Sequence, residues 1–233
     1  HRRVPPTGAW RRAVSRGRIA AERTSLVVVG GLLVVFLVVP LLALLVSTSP
    51  AEFRAGLSHP LVWPALRLSL ITTTISLLVV VLLGTPLAWS LARADSALAR
   101  AVETAVQLPI VIPPAVAGVA MLLAFGRRGL LAGWLYPQGW AVTFTTAAVV
   151  LAEVFVSAPF FVQAATSAFR RVDAKLLIVA RTFGASPLRV FFRVAIPLAA
   201  PGLVAGAAMS WARSLGEFGA TLMFAGNLQG ETQ

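Results

Sequence analysis

From Ser25 to about Val46 the chain carries no charged side chain, and apolar residues fill nearly every position. A helix needs about 20 such residues to cross the hydrocarbon core of a bilayer. Further apolar runs lie at about 66–91, 105–125, 143–166 and 198–217 or a little beyond. Five runs of this kind in 233 residues, with 58% of the chain apolar and only 12% charged, exclude a soluble domain of ordinary composition, which is about a quarter charged. The expected fold is all-α: a polytopic membrane protein with five transmembrane helices in this stretch. The first run is too long for a signal-peptide core and no convincing cleavage pattern follows it, so it reads as an uncleaved span.

The formal charge of +12 would point to nucleic acid on a soluble fold. Its distribution points elsewhere. Basic residues near span ends stay on the cytoplasmic side. With the N-terminus inside, segments 1–24, 92–104 and 167–197 face the cytoplasm and hold fifteen Lys and Arg residues, against three (Arg54, Arg127 and Arg128) in the outer segments 49–65, 126–142 and 218–233. The chain starts at His1 rather than Met and stops abruptly at Gln233. It is therefore expected to be a fragment, and a sixth span beyond Gln233 would return the C-terminus to the cytoplasm. The outer pair Arg127 and Arg128 either raises local anion concentration or snorkels to lipid headgroups.

Within the third run, Pro109, Pro113 and Pro114 lie close together. Proline removes a backbone donor and clashes with the preceding turn, so the three are expected to break the helix. Irregular backbone at membrane depth survives only where it is buried in protein or lines a cavity. Either this span faces a translocation path, or it is a kinked helix packed on its neighbours with no path.

Residues 170–197 read as two short helices. Leu176, Val179, Ala180 and Phe183 recur at i, i+3, i+4 and i+7 and make one apolar face. Gly184 supplies a left-handed C-terminal cap, with Ala185 after it. Ser186 then caps a second helix with Pro187 at its first position. In that helix Leu188, Phe191, Phe192 and Ala195 are expected on the apolar face and Arg189 and Arg193 on a basic one, with Pro197 stopping it before the next span. Such a pair is too short to cross a bilayer and too apolar to stand in water. It lies on the membrane interface or docks into a partner's groove.

This segment resembles the Glu-Ala-Ala loop of the inner-membrane components of binding-protein-dependent ABC importers, matching it at Ala180, Gly184, Ile196 and Pro197. The family's Glu falls on Ile178 and its first Ala on Val179, so the charged member of the motif is missing. The resemblance extends from about Leu66 to Gln233. Leu108–Pro114 with Phe125–Gly129, and Gly216–Asn227, look like the molybdate permeases, with the sulfate/thiosulfate permeases as close relatives.

The resemblance implies a plasma-membrane permease of a prokaryote, with a cytoplasmic tail at 1–24, a first span and outer loop at 25–65, and a permease core at 66–233 whose coupling loop is 170–197. It implies a homodimer with its path along the dimer axis. It also implies two cytoplasmic ATPase subunits seated on the loop, and an extracytoplasmic oxyanion-binding protein that delivers molybdate or tungstate. Membrane lipid is the remaining partner, and nucleic acid is not one. The rivals are a sulfate permease of the same class and, from another class, a channel or an ATP-independent carrier. A carrier often shows internal repeats, and none is found.

Glu153 falls inside the fourth apolar run, and Arg213 and Glu217 inside the fifth. Such residues usually face a bundle interior or an aqueous path. Arg213 and Glu217 are four apart and can pair on a helix, either as a gate or as a structural tie. Covalent chemistry has no candidates. His1 and His59 are the only histidines and there is no cysteine, so zinc and Cys sites are not expected. Gly184-Ala185-Ser186-Pro187 lacks the second Gly of a nucleophile elbow, and Lys175 sits in no phosphate-binding loop. No catalytic residue, cofactor or metal is expected, and any ATP must be hydrolysed by a separate subunit.

Overall fold

The computed structural model describes residues 9–226 and 232, with side chains from Val27 onward. Among these residues the regular structure is all helical, with no strand. The helices are α1 (Ala9–Ser47), α2 (Pro50–Leu57), α3 (Val62–Arg93), α4 (Ala97–Val111), α5 (Pro114–Phe125), α6 (Ala132–Leu135), α7 (Thr146–Arg170), α8 (Ala174–Thr182), α9 (Pro187–Val190), α10 (Ile196–Leu215) and α11 (Gly219–Ala225). Two compact units result, one ending at Val62 and one running from Trp63 onward.

In the first unit, the segment Val27–Ser47 of α1 is apolar all round and none of it is buried within the chain. A helix of that kind belongs in hydrocarbon or against another helix. Helix α1 begins well before this segment, so residues 9–24 of the Arg-rich tail continue it as helix. Ser49 starts α2 through a capping box. Its hydroxyl accepts from the Glu52 amide while the Glu52 carboxylate accepts from the Ser49 amide at 2.8 Å.

In the second unit α7 is the central element. Its first half joins α5 and α11 in one apolar cluster with Ala117, Met121, Val149, Ala152, Val156, Ala220 and Phe224. Its second half joins α3, α4, α8 and α10 in another, with Val80, Ala88, Ala99, Phe161, Ala165, Phe169, Leu177, Val190 and Ala199. The approach of α10 to α7 is unusually close. A Cβ added at Gly206 would lie 2.8 Å from Ala164 Cβ, and one at Gly202 would lie 2.5 Å from Ala168 Cβ. Small residues at four-residue spacing let two helix backbones meet where lipid provides no hydrophobic drive. Ser210 continues this row, donating to the Ser157 carbonyl at 3.1 Å.

Among the described residues four helices are long and apolar enough to cross a membrane: Val27–Ser47, Val62–Arg93, Thr146–Arg170 and Pro187–Leu215. The third expected span differs from a single crossing. It is a pair, α4 and α5, bent by 119° at Ile112–Pro113. Pro109 does not take part in the break; it sits inside α4. Lacking an N–H, it forgoes one intrahelical bond near a helix end, a modest loss, whereas Pro113 follows an Ile112 already extended at ψ 127°. Pro114 opens α5 as its first residue, where a missing N–H costs nothing.

The stop expected at Pro197 is also corrected. Residues 191–195 form a π-turn, and the Ile196 amide bonds to the Phe191 carbonyl five residues back. The wider turn absorbs the donor that Pro197 lacks, so α9, the π-turn and α10 form one continuous helix. Gly206→Leu is expected to pry α7 from α10 and cost about 1–3 kcal/mol, lowering the melting midpoint of the detergent-purified protein by roughly 2–10 °C. Gly30→Leu, with nothing within 4 Å of its Cβ, is the matched control. Equal midpoints for wild type and Gly206→Leu would show that the seam between these helices does not set stability.

Candidate functional site

Two places collect the residues singled out above: the α8–α9 loop, and a polar cluster between α3, α7 and the end of α10.

In the loop, Asp173 caps α8 by accepting from the Lys175 amide at 2.9 Å. The helix ends as its sequence dictates. Gly184 takes φ +80°, its amide bonds to the Arg181 carbonyl, and the Ala185 amide reaches back to the Ala180 carbonyl at 3.1 Å. These two bonds are the Schellman arrangement, which needs a left-handed residue at the position of Gly184. The Ser186 hydroxyl then accepts from the Arg189 amide and opens α9, with Pro187 at its start.

The apolar face of α8 read from periodicity is mostly exposed. The side chain α8 buries is Leu177, 3% exposed, while Leu176, Val179 and Phe183 face outward, Phe183 at 87% exposure. Ala180 and Ala185 are half-buried. In the second helix Val190 and Ala195 are buried and Phe191 half-buried, but Leu188 and Phe192 point outward. The apolar face expected of Leu188, Phe191, Phe192 and Ala195 is thus divided: Phe191 and Ala195 pack inward with Val190, while Leu188 and Phe192 stay exposed. Phe191 packs on Trp89 and Phe169 with ring centroids 5.4 and 6.2 Å apart. The result is an exposed apolar ridge of Leu176, Val179, Phe183, Leu188 and Phe192, beside the exposed cations Lys175, Arg181, Arg189 and Arg193. Pro197 is not part of it and lies at the start of α10. At the root of the loop, a 420 Å³ cavity opens between Ala168, Arg171, Leu176 and Gly202.

The polar cluster is built across sequence. Glu153, on α7, is 4% exposed. Its carboxyl accepts from Thr72 Oγ1 at 2.9 Å and Ser76 Oγ at 2.6 Å, both on α3. Arg213 and Glu217 do pair, Nη2 to Oε2 at 2.6 Å. Glu217, however, lies beyond the end of α10. Its other oxygen accepts from the Ala220 amide at 2.7 Å, so the same carboxylate also holds the start of α11. A 300 Å³ cavity brings Glu153 and Glu217 together with Ser69, Thr72 and Thr221. The prolines do not line it. Pro114 packs close to Gly219, where an added Cβ would come within 2.9 Å of the Pro114 Cβ. Sequence reasoning missed Thr72 and Ser76 as the partners of Glu153. Hydroxyls in an apolar run read as tolerated polar residues, since they can bond back to their own helix, and only the fold places them opposite a carboxyl.

A polar cavity among long apolar helices and a glycine-capped loop with exposed apolar side chains are thus the two features that hold most of the candidate residues. Residues 81–231 match the family described as the binding-protein-dependent transport system inner membrane component. The chain is similar to the molybdenum transport system permease protein ModB of Mycobacterium tuberculosis, 45% identical over 200 residues covering 86% of this chain and 76% of that protein. It is similar to the protein of the same name in Escherichia coli K12, 40% identical over 172 residues covering 73% and 75%. The molybdate/tungstate transport system permease protein WtpB of Pyrococcus abyssi is 37% identical over 199 residues, covering 84% and 75%. With its several membrane-crossing helices and a family match over most of its length, this chain belongs to the binding-protein-dependent transport system inner membrane components and is a non-enzymatic transport subunit.

Proposed function

We propose that this chain is the membrane-spanning subunit of an ATP-driven importer, receiving molybdate or tungstate from an extracytoplasmic binding protein and passing it into the cytoplasm. One observation carries the substrate: relatives named for molybdenum or molybdate/tungstate transport resemble it over most of both chains. Two copies pair around a central path, and the carboxyl cluster of Glu153 and Glu217, with Arg213, lies at or beside it. The broken span at Pro113 and Pro114 supplies the part that changes shape, with Pro109 on its first arm. Cytoplasmic ATPase subunits grip the ridge of Leu176, Val179 and Phe183 around Ala180, Gly184 and Ala185, and their closure switches the pair between two packings of similar free energy.

The N-terminus lies in the cytoplasm. The support is the excess of Lys and Arg in 1–24, 92–104 and 167–197. Because the chain has no cysteine, single cysteines at Ser58 and Ala94 report sidedness directly. An impermeant maleimide added to intact cells is expected to label Ser58→Cys and spare Ala94→Cys; the opposite pattern reverses the orientation.

Gly184 tests the loop. A Cβ there would meet nothing within 4 Å, so the obstacle to substitution is the backbone conformation alone. Gly184→Val is expected to lose ATP-dependent uptake and retention of the ATPase during purification while still inserting in the membrane. Gly184→Asn, which tolerates the left-handed region, is expected to keep most of both. Full uptake by the Val variant would remove the loop from ATPase docking.

Molybdate and sulfate are both tetrahedral dianions that differ chiefly in size, a difference that a path between spans separates poorly. Selectivity is therefore assigned to the binding protein, whose closed site holds each oxygen with fixed donors. Labelled uptake into proteoliposomes holding permease, ATPase and binding protein is expected to favour molybdate and tungstate over sulfate by at least about tenfold, or about 1.4 kcal/mol. Equal competition by sulfate would replace the molybdate assignment with a sulfate one.

A further inference from the structure

Among the described residues one ion pair ties two separate helices together. Arg170 is the last residue of α7, and Glu103 lies on α4, 67 positions earlier. Nη1 donates to Oε1 at 3.1 Å and Nη2 to Oε2 at 2.9 Å, the two parallel bonds of a guanidinium on a carboxylate. The other two pairs are local: Arg100 with Asp95, and Arg213 with Glu217 one turn away.

The placement of the pair matters more than its strength. Arg170 is three residues before Asp173, which caps α8, so it stands at the root of the loop. Glu103 is on the arm that ends at Val111, immediately before the 119° bend. That arm is otherwise lightly held. Ala99 is its one buried side chain, and Val102 and Val106 rest only partly against the core. Apolar contacts of this kind fix a distance but let helices slide, since dispersion is not directional. A two-bond fork fixes distance and orientation together. Leu177 of α8 is buried in the same cluster as Ala99, Ala165 and Ala168, so the loop, the end of α7 and α4 share one packed base.

We propose that the Glu103–Arg170 fork is a positioning contact for transport: it carries displacement of the α8–α9 loop across to α4 and so to the hinge at Ile112–Pro113. This rests on the reading of the loop as the ATPase-facing element. The Arg170 side chain is about half exposed, and exposed ion pairs add little to stability. Loss of the fork is therefore read as a change in coupling rather than as unfolding.

The test uses the complete permease–ATPase complex in proteoliposomes with molybdate-loaded binding protein, and reads ATP hydrolysis and labelled molybdate uptake in the same vesicles. Glu103→Gln and Arg170→Met are expected to retain the ATPase on purification and to shift the melting midpoint by less than about 4 °C. Their uptake per ATP hydrolysed is expected to fall at least about fivefold, the lower end of ordinary coupling factors. Arg170→Lys, which keeps the charge and loses the fork, is expected to fall with them. The exchanged pair, Glu103→Arg with Arg170→Glu, is expected to recover at least half of the wild-type ratio. Single variants with an unchanged ratio, or an exchanged pair no better than either single, overturn the proposal. A wild-type complex that fails to retain its ATPase overturns the reading beneath it, and that result appears before any variant is compared.

Discussion

The second unit depends on two helices coming close enough for their backbones to touch. In hydrocarbon, apolar side chains gain little by leaving lipid for protein, so association rests on dispersion contacts and hydrogen bonds between well-fitted surfaces. Gly202 and Gly206 against Ala164 and Ala168 supply the fit, and Ser210 on the Ser157 carbonyl supplies a bond. Once α10 is seated there, α7 is covered on one side and presents its remaining faces to α3, α4, α5 and α11. A side chain forced into that seam would disturb both apolar clusters, because α7 runs through each.

The polar groups follow the same logic of satisfaction in a dry setting. A carboxyl at the position of Glu153 survives because α3 turns Thr72 and Ser76 toward it. Glu217 does more than answer Arg213: by accepting the Ala220 amide it supplies the cap that α11 lacks from its own sequence, since Phe218 at the N-cap has no side chain that can accept. Each carboxylate thus has its partners within the unit, and neither is buried unpaired.

Much of this was legible from local chemistry. The apolar runs place the long helices, and Gly184 with Ser186 and Pro187 places the loop's turn, because a left-handed cap and a helix start leave marks within a few residues. What was not legible depended on groups far apart in sequence or on backbone register. Pro197 reads as a stop unless the π-turn ahead of it is known, and nothing in Phe191–Ala195 announces that turn. Leu176 and Leu177 are equally apolar; which one is buried depends on where α7 and α10 leave room. Glu103 and Arg170 are ordinary surface charges until α4 is laid against the end of α7. The Pro cluster marks a break correctly in kind, but Pro109 shows that three prolines need not each interrupt a helix.

The unbroken helix from Pro187 to Leu215 has a mechanical meaning. At 29 residues it is roughly 43 Å long, with the exposed Leu188 near one end and Arg213, partnered by Glu217, near the other. The loop does not hang from its span as a tether would. Its second half is the span's own end, so Leu188 and Arg213 stand on one continuous helix on either side of the glycine seam.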